Sequence, residues 1–261
     1  MGAGPVLLLV HGTGAATHSW RDLAPLLARR FTVVAPDLPG HGFTEALPSG
    51  RPTLPAMAQL LRSLLEALEV KPELALGHSA GAAIAAQLAL DDSSRLRGWI
   101  SINGALLPLP GLPGLVFRPM ARLLAINPLA SRVFAWRAAD RRAVERLIES
   151  TGSHLDQSGV EWYRRVVRDP HHVRGALAMM AHWDLRQLER DLPRLRLPVA
   201  LITGSHDRTV PPTESARAGA LLSGAELRGL PGLGHLAHEE EPERTANIID
   251  EWARRVFRAG R

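Results

Sequence analysis

The chain has no cysteine, and lysine occurs once, at Lys71. The first absence excludes disulfides, zinc–thiolate sites and a cysteine nucleophile, and it leaves the redox compartment open. The second puts nearly all of the positive charge on arginine, for a formal net charge of +5. Those arginines are scattered, and no helix-turn-helix, RNP or zinc-finger pattern accompanies them, so a nucleic-acid partner is not expected. Long apolar runs are also missing. The opening MGAGPVLLLVHGTG holds a short apolar run with no basic region before it, which argues against a signal peptide, and no other run is long enough to span a bilayer. The expectation is a cytoplasmic chain with no stable membrane insertion. At 261 residues, 46% of them hydrophobic and 22% charged, it is long enough for one large domain or one domain with an insertion.

What is present is an alternation of short apolar runs with helical patterns. VLLLV (6–10), FTVVA (31–35), ELALG (73–77) and RGWISING (97–104) read as buried parallel strands. Between them lie an amphipathic segment around Trp20 to Leu27, a second at 53–70, and a small-residue helix from Ala80 to Leu90. The alternation resumes at PVALITG (198–204) and AELRGLPG (225–232), followed by a long final helix. Repeated β-α units predict an α/β fold: a mostly parallel sheet, helices on both faces, and ligands at the carboxyl ends of the strands.

The interruption at 105–190 differs. It opens with the Pro- and Leu-rich ALLPLPGLPGLVF, continues as short helical segments, and carries 13 arginines against 8 acids. The remainder holds 18 basic and 18 acidic residues, so the whole net charge resides in the interruption. The predicted organisation is a first core part at 1–104, a helical lid at 105–190 inserted before the last two strands, and a second core part at 191–261.

GHSAG fits G-x-S-x-G between a strand and a helix. Small residues must flank a serine placed on so sharp a turn, which lifts its hydroxyl above the sheet. A serine needs a base to take its proton and an acid to orient that base, in the chain order serine, acid, histidine. Asp207 in GSHDRTVP and His235 in GLGHLAHEE each follow a predicted strand in that order. The candidate catalytic set is therefore Ser79, Asp207 and His235. For the oxyanion hole the candidates are the backbone N–H groups of Ala80 and of Thr13 in HGTG, with Gly14 second to Thr13. Gly14, Trp20, Trp136, Met180 and Trp183 are taken as substrate-binding candidates. His11 and Asp37 read as loop-fixing residues, His206 as part of the acid's turn, and His238 as the start of the last helix. Asn103 occupies the other strand end where an acid could stand, and it cannot serve as one. His171 and His172 read as a solvated helix start, since no further ligands accompany them; neither a metal nor a cofactor is expected.

The motifs HGTG, PDLPGHG, GHSAG, GSHD and GLGHLAHEE resemble the α/β-hydrolase superfamily over nearly the whole chain. HGTGAATHSWRDLAPLLARRFTVVAPDLPGHG, GHSAGAAIA, NPLASRVFAWRAAD and GALAMMAHWDL are similar, more closely, to the magnesium-chelatase accessory proteins of bacteriochlorophyll biosynthesis clusters. Members of that family usually carry two strands before the HGTG strand, and this chain begins almost on it. The resemblance therefore implies either a truncated start or a lost edge hairpin. It implies two functions of different class. One is a serine hydrolase of the carboxylesterase type, acting on a small apolar ester, with a porphyrin-like ester as the candidate, beneath a basic aromatic lid. The other is a non-catalytic tetrapyrrole-binding protein assisting magnesium-chelatase subunits.

Overall fold

A computed structural model describes residues 1–91, 96–108, 124, 127–137 and 140–259. Six strands form one sheet: β1 (Val6–Val10), β2 (Thr32–Val34), β3 (Leu74–His78), β4 (Gly98–Ile102), β5 (Val199–Gly204) and β6 (Glu226–Leu230). Their spatial order is β2-β1-β3-β4-β5-β6, and each of the five pairings is parallel. The expected α/β sheet is thus observed, with its strands' carboxyl ends on a common edge.

The apolar strand runs follow from what covers them. Side chains alternate across a strand, so a strand covered on both faces must be apolar at every position. In β1, Leu8 and Val10 enter one core, while Leu7 and Leu9 enter the other. β5 repeats the division, with Val199 and Leu201 on the first side and Ala200 and Ile202 on the second. The first core is closed by α2 (Leu54–Ala67), through Met57, Ala58 and Leu61, and by α3 (Ala80–Asp91). The second is closed by α1 (Leu23–Leu27) and by the last helix, which contributes Ile249, Trp252 and Val256. At the sheet's edge, Met1 and Val33 exchange two backbone hydrogen bonds along the outer side of β2.

Between β4 and β5 the described residues contain no strand; they include the helices α4 (Pro128–Arg137), α5 (Arg141–Ser150), α6 (Gln157–Val167), α7 (Pro170–His182) and α8 (Arg186–Asp191), the last followed by a short 3-10 turn at Leu192–Arg194. Asp140, Asp156 and Asp169 cap α5, α6 and α7 by accepting a backbone N–H from the first turn. The Pro- and Leu-rich opening of this insertion lies largely outside the described residues. After β5 come α9 (Pro212–Leu221), then β6, α10 (Ala237–Glu240) and α11 (Pro242–Ala259). Among the described residues, no helix is long and apolar enough to cross a membrane.

Trp252 of α11 is fully buried and lies against Gly98, where a Cβ would press into its ring. Trp252→Ala should lower the unfolding free energy by about 3–5 kcal/mol, read from urea titration, with the cavity against Gly98 left unfilled.

Candidate active site

β3 ends at His78 and α3 begins at Ala80, so Ser79 alone makes the turn from strand to helix. Its φ of +51° is in the left-handed region, strained for a residue with a Cβ. Close packing enforces it. A Cβ on Gly81 would strike the carbonyls of Val10 and His11, and one on Gly77 would strike the first turn of α3. A Cβ on Gly12 would come within 2.9 Å of the Ser79 Cβ, so the HGTG loop lies directly against the serine. The Ser79 N–H donates to the Ile102 carbonyl (3.1 Å), and its own carbonyl accepts from Ala82 and Ala105.

Asp207 follows β5 and His235 follows β6, and the two meet in the interior: His235 Nδ1 lies 2.8 Å from Asp207 Oδ2. The other carboxylate oxygen accepts the N–H groups of Thr209 and Val210, each at 2.8 Å. A carboxylate facing Nδ1 places the ring proton there, which leaves Nε2 as the basic nitrogen. The His235 backbone is also held. Its carbonyl accepts from His78 Nε2 (2.9 Å) and from Asn103 Nδ2 (2.8 Å). Asn103 also donates to the Gly234 carbonyl and accepts the Gly204 N–H, bonding the histidine loop to the end of β5, three residues before the acid. The sequence had marked Asn103 only as a residue unable to be the acid.

The loop after β1 is fixed by histidines. His11 Nε2 accepts the Leu38 N–H, and its Nδ1 donates to the Gly12 carbonyl. His172 corrects the sequence expectation of a solvated helix start. It is buried at the beginning of α7, its Nε2 donating to the Gly14 carbonyl and its Nδ1 accepting the Gly42 N–H. Burial lowers the pKa of both rings, His11 to about 4, which suits the neutral forms these bonds require. No sequence periodicity could reveal this, because Gly14, Gly42 and His172 meet only through the fold. Asp37 accepts from Thr17 and Phe43 and fixes its loop as expected.

Other candidates scatter. The Thr13 hydroxyl donates to Met179 Sδ at 3.3 Å, so Met179, and not the half-buried Met180, is the methionine joined to that loop. Trp183 is half-buried against the first core. Trp20 is a core residue packed on His238, ring centroids 4.7 Å apart, and Trp136 is 73% exposed on α4. A cavity of about 1210 Å³ opens between the Asp37 loop, α2 and α6, and no triad candidate lines it. No group of side chains able to hold a metal occurs among the described residues.

The insertion grips the histidine loop. Ser153 Oγ accepts the Leu236 N–H (2.7 Å), and Glu240 accepts the N–H groups of both His154 and Gly234. The neighbouring Glu239, on the same short helix, accepts from Tyr163 of α6 and from Arg21 at 2.6 Å each. Burial nevertheless raises its carboxyl to about 7.

This geometry has a family. The alpha/beta hydrolase fold family matches residues 5–242. The chain belongs to that family. Among its relatives within the fold, the magnesium-chelatase 30 kDa subunit of Rhodobacter capsulatus is 43% identical over 249 residues, 95% of this chain and 87% of that one. The pyrrolizixenacetamide deacetylase of Xenorhabdus hominickii is 30% identical, covering 93% and 88%. A thermophilic esterase from Thermogutta terrifontis superposes with a TM-score of 0.75 at 27% identity, covering 98% and 92%.

Two measurements follow. Asn103→Ala removes the partner of the Gly234 carbonyl and of the Gly204 N–H, leaves the His235 carbonyl to His78 alone, and should cost about 1–3 kcal/mol in urea unfolding. His238 is fully buried between Trp20 and His78, and burial lowers its pKa to about 3. The unfolded chain takes up that proton near pH 6.5 and the folded chain does not, so stability falls as pH drops below 6.5. His238→Phe should make that fall shallower, measured as urea midpoints between pH 5 and 8.

Proposed function

We propose that the protein is a serine hydrolase that cleaves a carboxylic ester or similar acyl bond. The observation that carries this is the buried 2.8 Å contact between His235 Nδ1 and Asp207 Oδ2, on the strand edge that also presents Ser79. In this reading Ser79 Oγ attacks the acyl carbon while His235 Nε2 takes its proton. The carbonyl oxygen becomes an oxyanion, stabilised by the N–H groups of Ala80 and Thr13, the first aided by the positive end of α3. Collapse of the intermediate expels the alcohol, which receives the proton from His235. Water then enters by the same path in reverse, and the acid product leaves with Ser79 regenerated. Asp207, its second oxygen held by two backbone N–H groups, steadies the imidazolium without taking its proton. The helices at 105–190 act as the lid above the strand ends.

The 43% identity to a magnesium-chelatase 30 kDa subunit favours a tetrapyrrole-related ester as substrate. It also favours a second reading, in which the protein assists a magnesium chelatase by binding and the serine is idle. An intact serine, base and acid weigh toward the first.

A fluorophosphonate probe followed by intact-mass measurement separates the two. The hydrolase reading expects one adduct on the native chain, none on Ser79→Ala or His235→Ala, and labelling slowed about 10³–10⁴-fold in Asp207→Asn. A well-folded native chain that takes no adduct, yet still retains chelatase subunits in a pull-down, would replace it with the binding reading.

A further inference from the structure

The helix α4 turns an apolar, cationic face to solvent. Leu129, Arg132, Val133, Trp136 and Arg137 are all exposed, and their spacing of i, i+3, i+4, i+7 and i+8 puts them on one side of the helix. Leu129 is 61% exposed, Val133 56% and Trp136 73%, whereas Trp20, Trp99 and Trp252 are almost fully buried. Ala135, off that stripe, is buried. Scattered single apolar residues are ordinary on a protein surface, but three large ones in register on one helix face are not.

The charges on this face have one sign. The segment PLASRVFAWR contains no Asp or Glu; beyond it, Asp140 caps the next helix and Arg141 pairs with Glu145, so the cationic groups of this face are Arg132 and Arg137. A partner must therefore offer an apolar layer and negative charge side by side. The face is also small. Ten residues of helix run about 15 Å, whereas a stable protein partner buries about 800 Å² on each side, more than three apolar side chains can supply. A bilayer surface sets no such minimum. Its acyl boundary takes leucine, valine and the body of tryptophan, the tryptophan N–H stays at headgroup level, and anionic headgroups meet the guanidinium groups.

We infer that α4 is a membrane-surface contact, through which the protein docks reversibly on bilayers carrying anionic phospholipid. The helix lies in the interface plane and spans nothing. Docking does not depend on the proposed hydrolysis, since a chain with an idle serine would bind equally well.

The full chain is mixed with sedimentable vesicles of phosphatidylcholine alone and of phosphatidylcholine containing phosphatidylglycerol. The expected result is partition into the anionic vesicles, weakened by raising salt from about 0.1 to 1 M, where the screening length drops from about 10 to 3 Å. Val133→Asp, Trp136→Ala and the pair Arg132→Glu with Arg137→Glu should each reduce the partition roughly tenfold. These positions are exposed, so their melting temperatures should match the native chain's. Native tryptophan emission should shift to the blue on the vesicles, and Trp136→Phe should lose that shift. Absence of partition, or partition that these variants leave unchanged, overturns the inference. Equal binding to uncharged vesicles overturns the assignment of an anionic surface. A dimer in solution that the same variants dissociate would give the face to a second copy instead.

Discussion

A left-handed serine with its Cβ costs on the order of 1–2 kcal/mol of backbone strain, and the arrangement around the site is built to hold it there. Gly77 and Gly81 let α3 approach the sheet closely enough that no relaxed turn fits between them. Gly12 brings the loop after β1 against the same serine from the other side. The small-residue composition of α3 has the same origin: Ala80 to Ala86 are all buried, and bulkier side chains would lift the helix off β1 and release the turn. Strain at this point is sustained by the packing of α3 on the sheet and of the loop after β1 against the serine.

The partners of the serine arrive by a different route. Asp207 and His235 stand on loops after separate strands, and each loop is tied down several times. Asn103 at the end of β4 joins the acid's strand to the histidine's loop, and its own φ of +47° is the second strained position on this edge. From the opposite side, Ser153, Tyr163 and the His154 backbone bind the segment Gly234 to Glu240. The insertion is therefore mechanically joined to the loop bearing His235. A shift of α5 or α6 would be felt at His235 through hydrogen bonds of 2.6–3.1 Å.

Buried histidines give this edge a common dependence on pH. His11, His41, His78, His172 and His238 are all buried, and each has its pKa lowered first by desolvation. In the neutral state His172 accepts from one loop and donates to another, a role the charged ring cannot fill because both nitrogens would then be donors. The surface of the insertion follows an opposite logic. Among the described residues most of its arginines are exposed, some in short-range pairs such as Arg141 with Glu145, whose exposure makes each worth little to stability.

The sequence by itself determined the sheet, because strands covered on both faces must be apolar throughout, and VLLLV or PVALITG has no other economical use. It determined the turn at Ser79 as well, since a small residue on each side of the serine is a local steric requirement visible in five letters. The placing of Ser79, Asp207 and His235 in the loops after β3, β5 and β6 was legible for the same reason, since each loop follows a run that reads as a strand. What only the tertiary structure decided is which distant groups meet. Trp20 and Trp136 share a residue type, yet one is a core anchor under His238 and the other faces solvent, because burial depends on what lies opposite and not on the side chain. His172, Asn103 and Ser153 carry no local signal; their partners are 83 to 158 positions away, and hydrogen bonds over such separations exist only once the chain has closed on itself.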